Sequence, residues 1–292
     1  MKKIFVVLAC IGLLAGWKAC NDRKADASDT VLTDTLFADS LGAFYPQDPG
    51  GDKSTIVVNE SDTIKLCKEM PFVPPFNELG QKAGGVKTAF WSGRTTVLKV
   101  KFIDGESEVI RKVMDIAKLW EPHSGVVFEQ LTDGKANITV SFRKGGSWSK
   151  IGNQSAYQVP SMNLGWLTVA TSEEEYKRVV LHEFGHALGL THEHQNPKGS
   201  NIEWNVDFIK KKLTGPPNMW TAQEVERNIF KKFKADIFNG TEYDPTSIMI
   251  YAMPAGFRKD GVVTNWNTEL SSADKSFIAS QYKNHPFRQR NP

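Results

Sequence analysis

Residues 182–192 read His182-Glu183-Phe184-Gly185-His186-Ala187-Leu188-Gly189-Leu190-Thr191-His192. The preceding residues predict a helix from Ser172 to Gly189. Ser172 is a capping residue, Glu175 three positions on completes a capping box, and Glu173–Glu175 complement the positive end of the helix dipole. On such a helix His182 and His186, four apart, project from one face a single turn apart. That spacing lets two ring nitrogens reach one metal ion about 2 Å away. Glu183, offset by one position, borders the site and is placed to accept a proton from water. A continuing helix would carry His192 nearly two turns past His186. Gly189, the residue that takes a left-handed helix end without strain, can instead turn the chain back and return His192 to the same ion. Three neutral imidazoles leave coordination positions open, as a catalytic zinc site requires. We therefore expect one Zn2+ held by His182, His186 and His192, with Glu183 as general base.

Outward from this helix the body is mixed. Residues 95–102 (TTVLKVKF) alternate and are β-branched, which predicts a strand, and 125–131 and 136–142 predict two more. Residues 108–120 place Val109, Val113, Ile116 and Trp120 on one helical face. Gly145 to Gly152 (GGSWSKIG) predicts a loop. Beyond Gly189 the pattern is irregular, with short helices near 206–213, 222–234 (Thr221 and Glu224 forming a capping box) and 272–282. Three strands, a long central helix and a loop-rich second half predict an α+β fold.

Length and composition bound the rest. With 292 residues, 17 Phe and eight Trp, the chain can fill a sizeable core. A formal charge of +3 is too small to argue for nucleic acid, and three cysteines exclude a disulfide-stapled scaffold. Charge is unevenly spread. Residues 21–79 carry five Lys/Arg against eleven Asp/Glu, and 80–292 carry 28 against 22. An acidic front segment beside a basic body can associate electrostatically, or can be a solvated linker.

The N-terminus reads as an export signal. Lys2 and Lys3 precede an uncharged, mostly apolar run from Ile4 to Gly16, too short to span a bilayer as a helix. Cys20 follows at the distance found in bacterial lipoprotein signals, which this stretch resembles. Lipidation there predicts an anchored protein; Ala25-Asp26-Ala27 offers an ordinary cleavage site instead. The expected products are an outer-membrane lipoprotein or a periplasmic or secreted protein. The organisation is then a leader at 1–20, an acidic tether or pro-segment at 21–79 and a catalytic domain at 80–292, divided near 190.

The pattern HExxHxxGxxH resembles the metzincin zinc-protease signature. His192-Glu193 resembles the astacin family of peptidases, and HEHQNP (192–197) its bacterial branch. Downstream, Ser247-Ile248-Met249-Ile250-Tyr251 is similar to the Met-turn. The resemblance implies that Met249 forms an apolar floor beneath the ligands. It implies that Tyr251 is a displaceable extra ligand whose hydroxyl then serves the oxyanion. Glu193 in that family often pairs with the mature N-terminal amine. The implied fold is a twisted mixed sheet with two long helices, then a second subdomain of irregular chain and short helices. Softer matches are GSWS (146–149) and SMNLGW (161–166). By analogy the strand at 136–142 is the edge that binds extended substrate, although an interior strand fits its pattern too. The family's animal members carry disulfides in this domain, whereas this body has no cysteine.

Cys67, in IKLCKEMPF, is the sole cysteine beyond the leader. A thiolate is a strong zinc ligand, so Cys67 is a candidate latency ligand displaced by proteolysis. Asp48 and Asp52 are alternatives, and an idle buried thiol is the plain reading. The functional expectation is a monomeric, latent zinc endopeptidase that acts on proteins or peptides and requires an activating protease. The rival is a non-catalytic surface-binding lipoprotein that keeps the fold; a further alternative is a matrix-metalloprotease-like enzyme. Of the remaining histidines, His194 reads as a residue behind the ligands, and His123 as a surface group.

Overall fold

The structure, a computed structural model, describes residues 66–70, 89–92, 94–216, 218–235 and 238–284. The leader, Cys20, the alternative cleavage site, Asp48 and Asp52 lie outside the described residues. Among those described, no helix is long and apolar enough to cross a membrane.

The strands are β1 (Lys68–Glu69), β2 (Val97–Phe102), β3 (Val127–Leu131), β4 (Ile138–Ser141), β5 (Ser147–Ser149) and β6 (Met162–Leu164). They form one sheet in the order β1-β5-β6-β4-β2-β3. All neighbours are parallel except β5 and β6. The helices are α1 (Ser107–Ala117), α2 (Glu121–Ser124), α3 (Glu173–Ala187), α4 (Val206–Thr214), α5 (Ala222–Val225) and α6 (Ser272–Gln281). The chain is α+β, with the sheet, α1 and α3 in its first half and short helices in its second.

Alternation marks β2, and its inward residues Leu98 and Val100 are fully buried. The core beneath the sheet joins Val113, Ile116 and Trp120 to Ile138, Val140, Met162 and Phe184. Phe128 of β3 meets Phe184 of α3 edge to face at 5.1 Å. Each such side chain taken fully out of water contributes about 1.5–3 kcal/mol. Trp120 Nε1 donates to Leu181 O, which pins the middle of α3.

The strand at 136–142 is not an edge. Its β4 portion is buried at all four residues and lies between β2 and β6. Its sequence, Ile-Thr-Val-Ser, alternates as a half-exposed strand would, because the second face is covered with its Thr139 and Ser141 hydroxyls bonded to Gln158 O and Asn163 Oδ1. On the far side the sheet continues through β5, inside the stretch expected to be a loop. There Lys68 pairs with Trp148 and Glu69 with Ser149.

Helix α3 begins as expected, with Ser172 Oγ accepting from Glu175 N. The reciprocal half of the capping box is missing, because the Glu175 carboxylate turns to Arg178 and Trp166 Nε1. At the other end Gly189 has φ +107°. A Cβ there would lie 2.6 Å from the Phe90 ring. Trp91 Nε1 and Tyr282 Oη donate to Ala187 O and Leu188 O, satisfying carbonyls that a helix end leaves bare.

The second half builds a separate core from Ile209, Leu213, Trp220, Val225, Ile229, Ile250, Met253 and Phe257. Leu66 and Cys67 are buried in it. Thr221 and Glu224 form the expected capping box. The helix they start stops short of 234. After α5 it widens into a π turn at Glu226–Phe230 and ends.

Candidate metal centre

His182 and His186 project from α3, and His192 returns from beyond Gly189. One ring nitrogen of each lies within 4.8 Å of the other two. His182 Nδ1 stands 2.9 Å from Ile248 O, and His186 Nδ1 2.9 Å from Leu190 O. A carbonyl oxygen only accepts, so each Nδ1 carries its hydrogen and each Nε2 is left with a bare lone pair. His192 Nδ1 faces Gln195 Oε1 at 3.3 Å, which fixes the same tautomer. The consequence is a cluster that protein atoms alone leave unresolved. His182 Nε2 is buried without a hydrogen-bond partner, and His186 Nε2 lies 3.1 Å from His192 Nε2 with no proton to share. Three converging lone pairs on neutral nitrogen fit a divalent cation of zinc type. Burial, and then the neighbouring rings, hold His182 and His192 well below the usual imidazole range; burial takes His186 to about 4.

Glu183 is fully buried beside the rings. Neither carboxylate oxygen has a nitrogen or oxygen donor among the described residues. Burial raises its pKa to about 8, opposed by the neighbouring Cys67 thiol and by the Arg178 charge. Arg178, one turn ahead of His182 on α3, is itself 5% exposed. Its guanidinium grips Glu175 with two bonds of 2.6 and 2.7 Å and lies 3.9 Å over the Trp266 ring. The sequence reading did not single out Arg178, although the helical period that aligns His182 with His186 reaches it too.

Met249 lies beneath α3. A Cβ on Gly185 would sit 2.5 Å from its sulfur, so the helix can rest on the thioether only because that residue is glycine. Asp274, from the capping box of α6, accepts from Ser247 Oγ and Ile248 N and fixes this turn. The Tyr251 ring centroid is 4.2 Å from that of His192. Its hydroxyl donates to the backbone carbonyl of Cys67. His194 packs on Tyr251 at 4.7 Å, and its Nε2 donates to Asn228 O; it stands behind the three rings. Glu193 accepts from Asn196 Nδ2 and Asp244 N, and burial brings its carboxyl to about 7.

Cys67 is brought to the site by β1. Its thiol stands against Glu183 and Arg178, and burial with the Glu183 charge pushes its pKa well up. Lys68 holds the segment from outside through a 3.1 Å ion pair with Glu224. His123, by contrast, is partly exposed at the end of α2, away from the other histidines of interest.

The chain is similar to myroilysin. One myroilysin structure is 35% identical, with a TM-score of 0.64, over 68% of this chain and 97% of that one. A second is 30% identical, with a TM-score of 0.55, over 75% and 91%. The zinc metalloproteinase nas-30 of Caenorhabditis elegans is 28% identical over 207 residues, 69% of this chain. The match spans about a quarter of that relative's length, 25%. The family model for astacin, a peptidase family, matches residues 87–278. With about two thirds of its length matched, the chain belongs to the astacin family.

Proposed function

We propose that this chain is a zinc-dependent endopeptidase, made as a latent zymogen. The observation that carries the reading is the convergence of three bare imidazole Nε2 atoms beside a buried carboxylate. His182, His186 and His192 would hold the ion. A bound zinc ion supplies Lewis acidity, which acidifies water and polarises a carbonyl. Glu183 accepts a proton from the attacking water and returns it to the leaving amine. The Tyr251 hydroxyl, once free of Cys67, donates to the developing oxyanion. The edge of β5, once β1 has left, pairs with an extended substrate backbone. A non-catalytic binding protein would have no use for a buried carboxylate beside the rings.

Latency is supported by what the segment at 66–70 occupies. It covers the general base, takes the Tyr251 hydrogen bond and fills the β5 edge. A thiolate is a strong zinc ligand, and Cys67 would supply one by turning its sulfur toward the three rings, since that atom is not among the clustered ligand atoms here. Removal of the segment by an activating protease opens the site. Export, with lipid attachment at Cys20, rests on the leader sequence.

The test is metal analysis of the purified full chain, with cleavage of a peptide mixture before and after limited proteolysis. One zinc per chain and cleavage appearing on processing are expected. A processed, folded protein that binds zinc yet cuts nothing would overturn the peptidase assignment.

A further inference from the structure

Two of the three rings are aimed by backbone carbonyls, which no side-chain substitution removes. The third is aimed by a side chain. We propose that Gln195 is a positioning residue that fixes the tautomer and direction of His192, and that the π turn after α5 exists to hold it. This rests on the reading of His192 as a zinc ligand.

The Gln195 side chain is buried and uses all three of its amide functions. Its Nε2 donates to Arg227 O and to Lys231 O, each at 2.7 Å. Those two bonds orient the amide, because reversing it would set its oxygen against two carbonyl oxygens. With the nitrogen so directed, Oε1 must face His192, 3.3 Å from Nδ1. That oxygen only accepts, so His192 keeps its proton on Nδ1 and its Nε2 lone pair faces the other rings.

The carbonyls of Arg227 and Lys231 are free to do this because of the helix they end. The turn at Glu226–Phe230 closes with Lys231 N donating to Glu226 O, five residues back, and the chain then leaves the helix. Carbonyls at such an end need partners from elsewhere. Phe233 N donates to Gln195 O at 3.1 Å and closes the connection from the backbone side. π turns recur at functional sites for this kind of reason. A residue here must accept once and donate twice. Among side chains of this length, a primary amide does so.

The experiment uses the full chain with labelled histidines. Long-range proton–nitrogen spectra of the zinc-free protein read the His192 tautomer, and chelator competition reads zinc affinity. Gln195→Met keeps the length and packing but no amide. It is expected to mix the His192 tautomers and to weaken zinc about 10–100-fold, the range for lost partners of metal-ligating histidines. Gln195→Glu restores an acceptor for Nδ1 but sets its second oxygen against the Arg227 and Lys231 carbonyls, so it is expected to keep His192 protonated on Nδ1 while losing thermal stability. A folded Gln195→Met protein that keeps His192 protonated on Nδ1 and binds zinc as wild type would overturn the proposal. So would a folded Gln195→Glu protein that mixes the His192 tautomers as Gln195→Met does, since the two variants differ in the acceptor facing Nδ1. If wild type itself bound no zinc, the metal-centre reading would fail, while the tautomer comparison would still decide the role of Gln195.

Discussion

The Tyr251 hydroxyl and the Cys67 carbonyl are joined by a hydrogen bond across 184 residues of sequence. That bond commits the hydroxyl beside the His192 ring to the segment that covers the site. The same segment sets a thiol against Glu183, adds a strand to β5 and anchors itself by Lys68 on Glu224. Departure of the segment would therefore free Glu183, the Tyr251 hydroxyl and the β5 edge together.

The contribution of the thiol can be separated from that of the strand. In the unprocessed chain Cys67→Ser should raise peptide cleavage about tenfold or more, since a loss of ~1.4 kcal/mol in segment affinity is a tenfold gain in open enzyme. Adding Lys68→Ala removes a partly exposed ion pair worth about 0.2–1 kcal/mol and should raise it modestly further. Cleavage unchanged from wild type in both variants would assign closure to the strand alone.

Glu183→Ala should leave the three imidazoles and their carbonyl partners in place. Zinc content should stay near wild type, while kcat of the processed enzyme falls about 10²–10⁴-fold, the range for a lost general base. Tenfold or smaller loss would remove Glu183 from that role.

Gly189→Ala tests the bend that returns His192. The residue has φ +107°, and its new Cβ would meet the Phe90 ring at 2.6 Å. Backbone strain of this kind costs about 1–3 kcal/mol. Urea denaturation should report a loss in that range together with weaker zinc retention. An unchanged midpoint would show that the bend tolerates a side chain.

How much of this can be read from the sequence follows from the range of the interactions. Helix α3 and the His182/His186 pair are local. Capping at Ser172, a four-residue spacing and a glycine stop are all written within about twenty residues. The short strands β5 and β6 are not, because three residues rich in Ser, Trp and Met become strands only through pairing. The stretches GSWS and SMNLGW that contain them stand out through family resemblance alone. β4 is an interior strand where analogy pointed to an edge, because Thr139 and Ser141 keep the polar alternation of an exposed face while their hydroxyls are bonded inside the protein. The helix expected to run to 234 stops after the π turn, and its freed carbonyls find Gln195 more than thirty residues earlier. No local pattern encodes that meeting. Asp274 is likewise invisible in the sequence, since its partners lie 26 and 27 residues away.

Asp274 links the last helix to the metal site. Its carboxylate accepts from Ser271 N at the start of α6, and from Ser247 Oγ and Ile248 N in the Met-turn. The carbonyl of that same Ile248 receives the proton of His182 Nδ1. Burial raises the Asp274 pKa, and the three donated bonds oppose that shift. Asp274→Ala leaves Ile248 N and Ser247 Oγ buried without their acceptor. The cost should be about 1–3 kcal/mol in unfolding free energy. Because the turn also carries Met249 and aims His182, zinc affinity should fall in the same variant. Asp274→Asn should cost less, since its amide oxygen can take the place of Oδ2 toward Ile248 N and Ser271 N while its nitrogen donates to the Ser247 hydroxyl. Thermal unfolding with and without added zinc separates the two effects. A variant that loses stability equally in both conditions would mean that the turn holds without the carboxylate and that Asp274 serves only α6.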